Sequence, residues 1–196
     1  MSSTPHPAAG VAAVILAAGE SRRFGSPKQL AELNGRTLLE HVLERAFGAG
    51  LDPVVAVVPA WFDPSATTAR PISWVHNSHP ERGMSESLKL GFGALPESAE
   101  AAVILLGDQP TLPASSISAI VAGRGERPII AGRSQGHITP PVLVERSHFG
   151  MVQKATGDSG LRDLLNARPE LVTAVELPVA DDVDTPEQLS DLEREG

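Results

Sequence analysis

The sequence predicts an α/β fold in which helices cover both faces of a mostly parallel sheet. Three runs of aliphatic residues support this prediction, at 11–17 (VAAVILA), 54–58 (VVAVV) and 101–106 (AAVILL). Continuous runs of this length are typical of strands that are buried on both faces. Segments with apolar residues at helical spacing alternate with them, which is typical of parallel sheets. In such sheets, ligands bind at the carboxyl ends of the strands.

Local signals mark the other elements. The segment 37–40 (TLLE) is a predicted capping box at the start of a helix that ends near Gly48. The segment 185–188 (TPEQ) starts another helix, with an N-cap threonine and a proline at the first helical position. The further elements predicted are helices at 84–95, 117–121 and 161–165 and strands at 72–76, 128–131, 141–144 and 171–177.

Length and composition favour one domain and exclude several functions. The chain has 196 residues, 41% of them hydrophobic and 20% charged, which is enough to bury a sizeable core. A net charge of −8 disfavours nucleic acid as a partner, and the absence of cysteine excludes thiolate chemistry. We predict a flexible tail at 1–10 and one domain at 11–196. Neither a signal peptide nor a membrane span is recognisable, so we expect a cytoplasmic protein without membrane partners.

The loop after the first strand has the composition of a phosphate-binding loop. From Leu16 to Lys28 the sequence is LAAGESRRFGSPK. Small residues let a ligand approach backbone amides, and Arg23 and Lys28 supply fixed positive charge. A tight turn with a solvated basic face is the alternative interpretation. The loop contains neither G-x-x-x-x-G-K-[ST] nor G-x-G-x-x-G, so it is neither a Walker loop nor a dinucleotide fingerprint.

Two acidic elements lie where a divalent metal could bind. Asp108 follows a predicted aliphatic strand by two residues, and Asp182 and Asp184 lie between a predicted strand and a capped helix. Mg²⁺ takes few protein carboxylates in addition to phosphate oxygens and water, so one aspartate from each element could share an ion with a triphosphate. A turn former and helix N-terminal charges are the alternatives. Together with Arg23 and Lys28, these residues favour a metal site, but spacing does not choose between Asp182 and Asp184.

The loop 16–28 closely resembles the L-A-[AG]-G-x-S-x-R-[MF]-G-x-x-K signature of the MobA-like NTP transferase family, and most of all its molybdenum cofactor cytidylyltransferase branch. Other segments resemble family motifs: Asn77 with 83–88 (GMSESL), 107–110 (GDQP), 136–137 (GH), 156–162 (TGDSGLR) and 182–187 (DVDTPE). The resemblance implies a single-domain, Rossmann-like three-layer αβα sandwich. It also implies Mg²⁺-dependent transfer of a nucleotidyl group from a nucleoside triphosphate to a phosphorylated acceptor, with release of pyrophosphate.

The resemblance implies a role for each matching residue. Catalysis is expected from Arg23, Lys28 and Asp108, and metal binding from Asp108 and Asp184, with Asp182 as a neighbour or second ligand. The implied nucleotide-binding residues are Leu16, Ala17, Ala18, Gly19, Ser21, Arg23, Phe24, Gly25, Lys28, Asn77, Ser85, Ser87 and Asp108. The implied acceptor-binding residues are Gln109, Pro110, Gly136, His137, Gly157 and Asp158, although Asp158 could instead cap the helix that follows it.

The expected substrates follow from the same resemblance. The cytidylyl enzymes of the family carry Ala-Ala-Gly where the guanylyl enzymes carry Ala-Gly-Gly. The sequence Ala17-Ala18-Gly19 therefore favours CTP over GTP. Molybdenum cofactor is the implied acceptor, with hand-off to a molybdoenzyme or its maturation factor. The segment 138–141 (ITPP) departs from the branch pattern and leaves another phosphorylated acceptor open. A nucleotide-binding protein without turnover and a Rossmann-type dehydrogenase are the alternatives from other classes. We expect Lys28→Ala to reduce turnover more than stability.

Overall fold

A seven-stranded sheet forms the centre of the computed structural model, which describes residues 8–19, 24, 27–67, 70–178, 180 and 182–195. The strands in chain order are β1 (Val11–Leu16), β2 (Glu32–Leu33), β3 (Arg36–Thr37), β4 (Val54–Pro59), β5 (Ser73–Asn77), β6 (Ala101–Leu106), β7 (Ile129–Ser134), β8 (His137–Glu145) and β9 (Val172–Glu176). The sheet order is β5-β4-β1-β6-β8-β7-β9, and β2 and β3 form a separate hairpin.

Strand β8 is the antiparallel member of the sheet. β1 pairs in parallel with β4 and β6, β4 with β5, and β7 with β9, whereas β8 runs against both of its neighbours. Leu16 and Leu106 are in register, so β1 and β6 end at the same edge. Because Ile104 pairs with Val142, the earlier residues of β8 lie beyond that edge. The carboxyl edge of the parallel strands therefore also receives the start of β8.

Helices cover both faces of the sheet and bury alternate residues of β1. The helices are α1 (Leu38–Gly48), α2 (Met84–Gly93), α3 (Ala114–Ala122), α4 (Phe149–Val152), α5 (Arg162–Asn166) and α6 (Pro186–Glu195). On one face, Ala13 and Ile15 pack with residues of α1 and α3. On the other face, Ala12 and Val14 pack with residues of α2, α4 and α5. This arrangement confirms the three-layer αβα sandwich.

A third, smaller apolar cluster lies apart from the two main cores. Phe24, Leu33, Leu38 and Val183 are its buried members, and Leu189 and Leu192 of α6 pack against it. The cluster thus joins the loop after β1, the β2–β3 hairpin, the start of α1 and the segment before α6. We call it the satellite cluster.

The observed element bounds follow the sequence signals closely at the capped helices. The Thr37 hydroxyl accepts from the Glu40 amide while the Glu40 carboxylate accepts from the Thr37 amide, so the predicted capping box is present. Thr185 and Gln188 form the same reciprocal pair at α6. The predicted short strands at 128–131 and 141–144 are longer in the structure because a two-residue turn joins them into the β7–β8 hairpin. Gln135 and Gly136 both adopt positive φ there.

The limits of the expected domain fall partly on residues that the structure does not describe. Of the predicted tail 1–10, residues 1–7 lie outside the described residues, and residues 8–10 form a turn whose Ala8 carbonyl accepts from the Val11 amide. Within the described ranges, none of the helices combines the length and the hydropathy that crossing a membrane requires.

Candidate active site

The carboxyl edge of the sheet brings together segments that are far apart in the chain. β1 ends there at Leu16 and β6 at Leu106, and Asn77 ends β5 at the same edge. The segment before α6 reaches this edge because the Val183 amide donates to the carbonyl oxygen of Asp108, at 3.0 Å. Both acidic elements that the sequence indicated therefore lie side by side.

Lys28 links the two acidic elements. Its Nζ lies 2.5 Å from Oδ2 of Asp108 and 3.3 Å from Oδ1 of Asp184. The three side chains are largely shielded, with 14%, 22% and 32% of their surface exposed, respectively. A single cationic group between two carboxylates shows that both can face one positive charge. The predicted convergence of Asp108, Asp184 and Lys28 is thus present.

The surroundings shift two pKa values in this group. Burial lowers the pKa of Lys28, but the charges and hydrogen bonds of Asp108 and Asp184 outweigh it, and the net pKa is raised. The pKa of Asp182 is raised chiefly because the carboxyl is desolvated, and the negative charges of Asp108 and Asp184 act in the same direction. Lys28 is therefore a fixed cation at neutral pH in a strongly acidic setting.

The donor set suits a hard divalent cation. The Oδ1 atom of Asp108 is buried without a hydrogen-bond partner among the described residues, as expected of an oxygen that faces a ligand. No group of three or more histidine or acidic side chains within the described ranges forms a complete metal site. Two carboxylates, from Asp108 and Asp184, leave the remaining positions to phosphate oxygens and water, which is the usual arrangement for Mg²⁺.

Gln109 contacts the acidic segment instead of solvent. Its Nε2 donates to Oδ1 of Asp182 at 2.8 Å, and the residue is 3% exposed. Pro110 is buried as well. The sequence assigned both residues to acceptor binding, and this assignment stays a prediction. Sequence reasoning missed the contact between Gln109 and Asp182, because no pattern signals a bond between residues 73 positions apart.

The described part of the loop after β1 packs closely under the site. Ala17 and Ala18 are buried, and Gly19 is exposed. A Cβ at Gly107 would lie 2.7 Å from Cβ of Ala17, so glycine is required where the loops after β1 and β6 meet. Phe24 is 8% exposed and belongs to the satellite cluster. The predicted nucleotide-binding residues Ser21, Arg23 and Gly25 lie outside the described residues.

The motif residues Asn77, Ser85 and Ser87 form hydrogen bonds with other residues of the protein. Asn77 is 1% exposed, and its Nδ2 donates to Oγ of Ser87 while its Oδ1 accepts from the His79 amide. Ser85 is also buried, and its amide donates to the carbonyl oxygen of Gly157. These contacts give the three predicted nucleotide-binding residues a local structural role. Their contact with a nucleotide stays a prediction.

The predicted acceptor loops lie on two sides of this edge. Gly136 and His137 are exposed at the turn of the β7–β8 hairpin. The other loop is held against the start of α2: a Cβ at Gly83 would lie 2.6 Å from the carbonyl carbon of Gly157 and 2.7 Å from Oδ1 of Asp158. Asp158 does not cap α5, whose N-cap is Leu161 without a side-chain hydrogen bond. The capping alternative for Asp158 is therefore wrong.

An apolar cleft opens where β1 and β6 end. Leu16 and Leu106, the last residues of β1 and β6, line its base, and Leu106 precedes Asp108 by two positions. Its other lining residues include Met84 and Leu88 of α2, Ile138, Thr139 and Pro140 of β8, and Arg162 of α5. Three residues of the segment 138–141, which departs from the family pattern, thus line this cleft. The sequence did not predict the cleft, although Met84 and Arg162 lie in the segments 83–88 and 156–162 that resemble family motifs.

Comparisons with known proteins identify the family of this chain. The family model described as the MobA-like NTP transferase domain matches residues 13–172. The purine catabolism protein PucB of Bacillus subtilis is 29% identical, with 92% of this chain and 95% of PucB covered. Nicotine blue oxidoreductase of Paenarthrobacter nicotinovorans is 30% identical, with 91% and 94% covered. The match to the bifunctional enzyme IspD/IspF of Novosphingobium aromaticivorans, at 36% identity, covers 65% of this chain but 34% of that enzyme.

Solved structures show the same fold. Rv0371c from Mycobacterium tuberculosis H37Rv matches with a TM-score of 0.82 and 27% identity, covering 94% of this chain and 97% of that one. A structure of Rv0371c in complex with manganese matches with a TM-score of 0.74 and 24% identity, over the same shares of the two chains. With its family model matched over most of its length, the chain belongs to the MobA-like NTP transferase family.

Proposed function

We propose that the protein transfers CMP from CTP to a phosphorylated small molecule, with molybdenum cofactor as the first candidate acceptor, and releases pyrophosphate. The observation that supports this most is the convergence of Asp108 and Asp184 on the Lys28 ammonium. Two carboxylates and a cation at the carboxyl edge of a parallel sheet are suited to binding a triphosphate with a divalent metal.

The reaction balances without a strong general base. A phosphate oxygen of the acceptor attacks the α-phosphorus of the nucleoside triphosphate in line. A new P–O bond forms there as the bond to pyrophosphate breaks. Because the attacking phosphate is already an anion, no proton has to be removed. Lys28 stabilises the negative charge on the phosphates, with Arg23 in the same proposed role.

Asp108 and Asp184 are the residues that would hold Mg²⁺. When bound, the ion neutralises charge on the triphosphate and on the leaving pyrophosphate. The manganese complex of Rv0371c supports a divalent cation in a related protein. Asp182 stays the neighbour of this pair in the proposal.

The choice of CTP rests on Ala18. The Ala18 side chain is 4% exposed, so its methyl group occupies space at the end of β1. Glycine at this position would leave more room for a purine. We therefore propose that Ala18→Gly increases the use of GTP relative to CTP, which competition between the two nucleotides measures.

The cleft is the proposed acceptor site. Its lining by Leu106, Ile138 and Pro140 suits the apolar part of an acceptor, and Arg162 offers a positive charge to an anionic group. We propose a cytoplasmic enzyme that hands its product to a molybdoenzyme or a maturation factor. Another phosphorylated acceptor is the second candidate, because the segment 138–141 differs from the branch pattern and three of its residues, Ile138, Thr139 and Pro140, line the cleft.

Release of pyrophosphate tests the proposal. The purified protein is incubated with Mg²⁺ and each of the four nucleoside triphosphates, with and without molybdenum cofactor. Acceptor-dependent pyrophosphate release with CTP is the expected result, and it should be lost in Asp108→Asn and retained in the matched surface variant Asp191→Asn. Pyrophosphate release with a different phosphorylated acceptor would change the proposed acceptor and leave the proposed nucleotidyl transfer unchanged. Tight nucleotide binding without pyrophosphate from any acceptor would favour a binding protein without turnover.

One relative raises an oxidoreductase as a competing function. Nicotine blue oxidoreductase aligns with 91% of this chain. The sequence between the first strand and Lys28 has no G-x-G-x-x-G fingerprint, which disfavours a dinucleotide site. A fluorescence titration with NADH or NADPH distinguishes the two functions. Saturable binding would support the oxidoreductase, and its absence would support the transferase.

A further inference from the structure

Gln109 is a buried polar side chain in direct contact with the acidic group. It follows Asp108 in the turn after β6, and 3% of its surface is exposed. Its Oε1 has no hydrogen-bond partner among the described residues, while its Nε2 donates to Oδ1 of Asp182 at 2.8 Å. A buried amide costs free energy unless its hydrogen bonds are made, so this one bond determines how the side chain is oriented.

Two adjacent hydrogen bonds join the turn after β6 to the segment before α6. One is the side-chain bond from Gln109 to Asp182, and the other is the backbone bond from the Val183 amide to the Asp108 carbonyl oxygen, at 3.0 Å. They lie on consecutive residues in both segments. The position of Asp184, one residue further on, is therefore fixed relative to Asp108.

The contacts divide the three aspartates into two roles. Asp108 and Asp184 both contact the Lys28 ammonium, at 2.5 and 3.3 Å. The carboxylate of Asp182 instead accepts from the neutral Gln109 amide. A neutral donor fits this place, because a lysine or arginine would add a competing positive charge next to the pair that faces the cation.

We propose that Gln109 is a positioning residue that acts through Asp182: it anchors the segment 182–184 so that Asp184 faces Asp108 across the metal site. The inference rests on the proposed function, since it concerns the same pair of carboxylates. It assigns Asp182 to anchoring and leaves metal binding to Asp108 and Asp184. It also gives Gln109 a role other than contact with the acceptor.

Mn²⁺ affinity in the absence of substrates tests this role. Mn²⁺ binding is followed by electron paramagnetic resonance for wild type, Gln109→Met, Asp182→Ala, the double variant and Asp182→Asn. Gln109→Met keeps the length of the side chain and removes its donor. We expect about 10-fold weaker Mn²⁺ binding for Gln109→Met, as is usual when a group that orients a metal ligand is lost. Gln153→Met, at an exposed glutamine, is the matched control and should bind Mn²⁺ like wild type.

The double variant shows whether Gln109 acts through Asp182, and Asp182→Asn distinguishes anchoring from metal ligation. If Gln109 acts through Asp182, the double variant binds Mn²⁺ no more weakly than Asp182→Ala alone, and Asp182→Asn loses less affinity than Asp182→Ala because its amide oxygen still accepts from Gln109. Additive losses would overturn the inference. Unchanged Mn²⁺ affinity in Gln109→Met would also overturn it, whether or not the KM of the acceptor rises.

Two further measurements show whether a loss of Mn²⁺ binding comes from misfolding or from failure of the proposed function. Thermal unfolding shows whether each variant is folded; if Gln109→Met is not, Gln109→Asn, whose shorter side chain draws its amide away from Asp182, replaces it with the same expected loss. A wild-type protein that binds no Mn²⁺ would overturn the proposed function together with the inference. Normal Mn²⁺ binding by wild type and by Gln109→Met would overturn the inference alone.

Discussion

The Nζ atom of Lys28 lies 2.5 Å from Oδ2 of Asp108, although 80 positions separate the two residues in the chain. Lys28 belongs to a short helical turn at 28–30, whereas Asp108 follows a central strand. Because Asp184 contacts the same ammonium from the C-terminal segment, the loop after β1 and both acidic elements form one electrostatic unit. Changes to any member are therefore expected to affect the others.

Lys28→Met is expected to reduce both turnover and stability. It removes the cation proposed to stabilise the phosphates, so pyrophosphate release should fall at least about 100-fold. It also removes the ammonium group from between two partly buried carboxylates, at a cost of about 1–3 kcal/mol. The sequence alone suggested a small effect of Lys28 on stability, and the ion pairs are the reason for a larger one. Urea unfolding and a pyrophosphate assay measure the two effects, with the exposed Lys154→Met as control.

The stabilising effect of Lys28 should persist to high pH. Its pKa is raised in the folded state, so the protonated form is favoured by folding. The resulting stability is fully present below the ordinary lysine value of 10.5 and is lost as the pH rises through the folded-state pKa. The difference in unfolding free energy between wild type and Lys28→Met should thus be constant from pH 7 to about pH 10 and fall above it. A decrease already between pH 7 and 9 would contradict the raised pKa.

Gly83→Ala is expected to disrupt the contact between α2 and the loop at 157. Gly83 has a φ of 85°, and an added Cβ would lie 2.6 Å from the Gly157 carbonyl carbon. We expect a loss of at least about 2 kcal/mol in the free energy of unfolding. Gly93→Ala in the same helix is the control: a Cβ there meets no described atom within 4 Å, and the change should be neutral or slightly stabilising. Equal effects of the two variants would refute this explanation.

Val183→Ala is expected to reduce both the stability of the protein and its affinity for Mn²⁺. Val183 is fully buried in the satellite cluster, between Asp182 and Asp184. The lost contacts should cost about 2 kcal/mol of stability, and Mn²⁺ binding should weaken because the two aspartates lose their support. Val144→Ala, a buried valine at the far end of β8, should cost a similar amount without changing Mn²⁺ affinity. Calorimetry provides both quantities.

Ile138→Gln should change recognition of the acceptor and leave the nucleotide unaffected. Ile138 lines the apolar cleft, on the strand whose sequence departs from the family pattern. A polar side chain there would replace apolar contact with a group that needs hydrogen bonds, so the KM of the acceptor should rise about 10-fold. The KM of the nucleotide serves as the internal control. A rise in the KM of the nucleotide instead would indicate that the cleft binds the nucleotide.

The sequence predicted what depends on neighbours in the chain. The capping box at Thr37, the aliphatic strands and the carboxyl-edge position of Asp108 all follow from local patterns. The bond of Gln109 to Asp182 and the packing of Phe24 and Val183 in one cluster do not, because the residues that meet are more than 70 positions apart. The extent of the β7–β8 hairpin was also missed, since Gln135-Gly136 is a weaker turn signal than Asn-Gly or Asp-Gly.

The reversed direction of β8 has a consequence for the proposed acceptor site. Residues 16–19, 28 and 108 belong to or follow the parallel strands β1 and β6, whereas the ITPP segment belongs to β8, which runs the opposite way. Under the proposed function, replacing residues 138–140 is expected to change the choice of acceptor and to leave the proposed phosphate-binding residues in place.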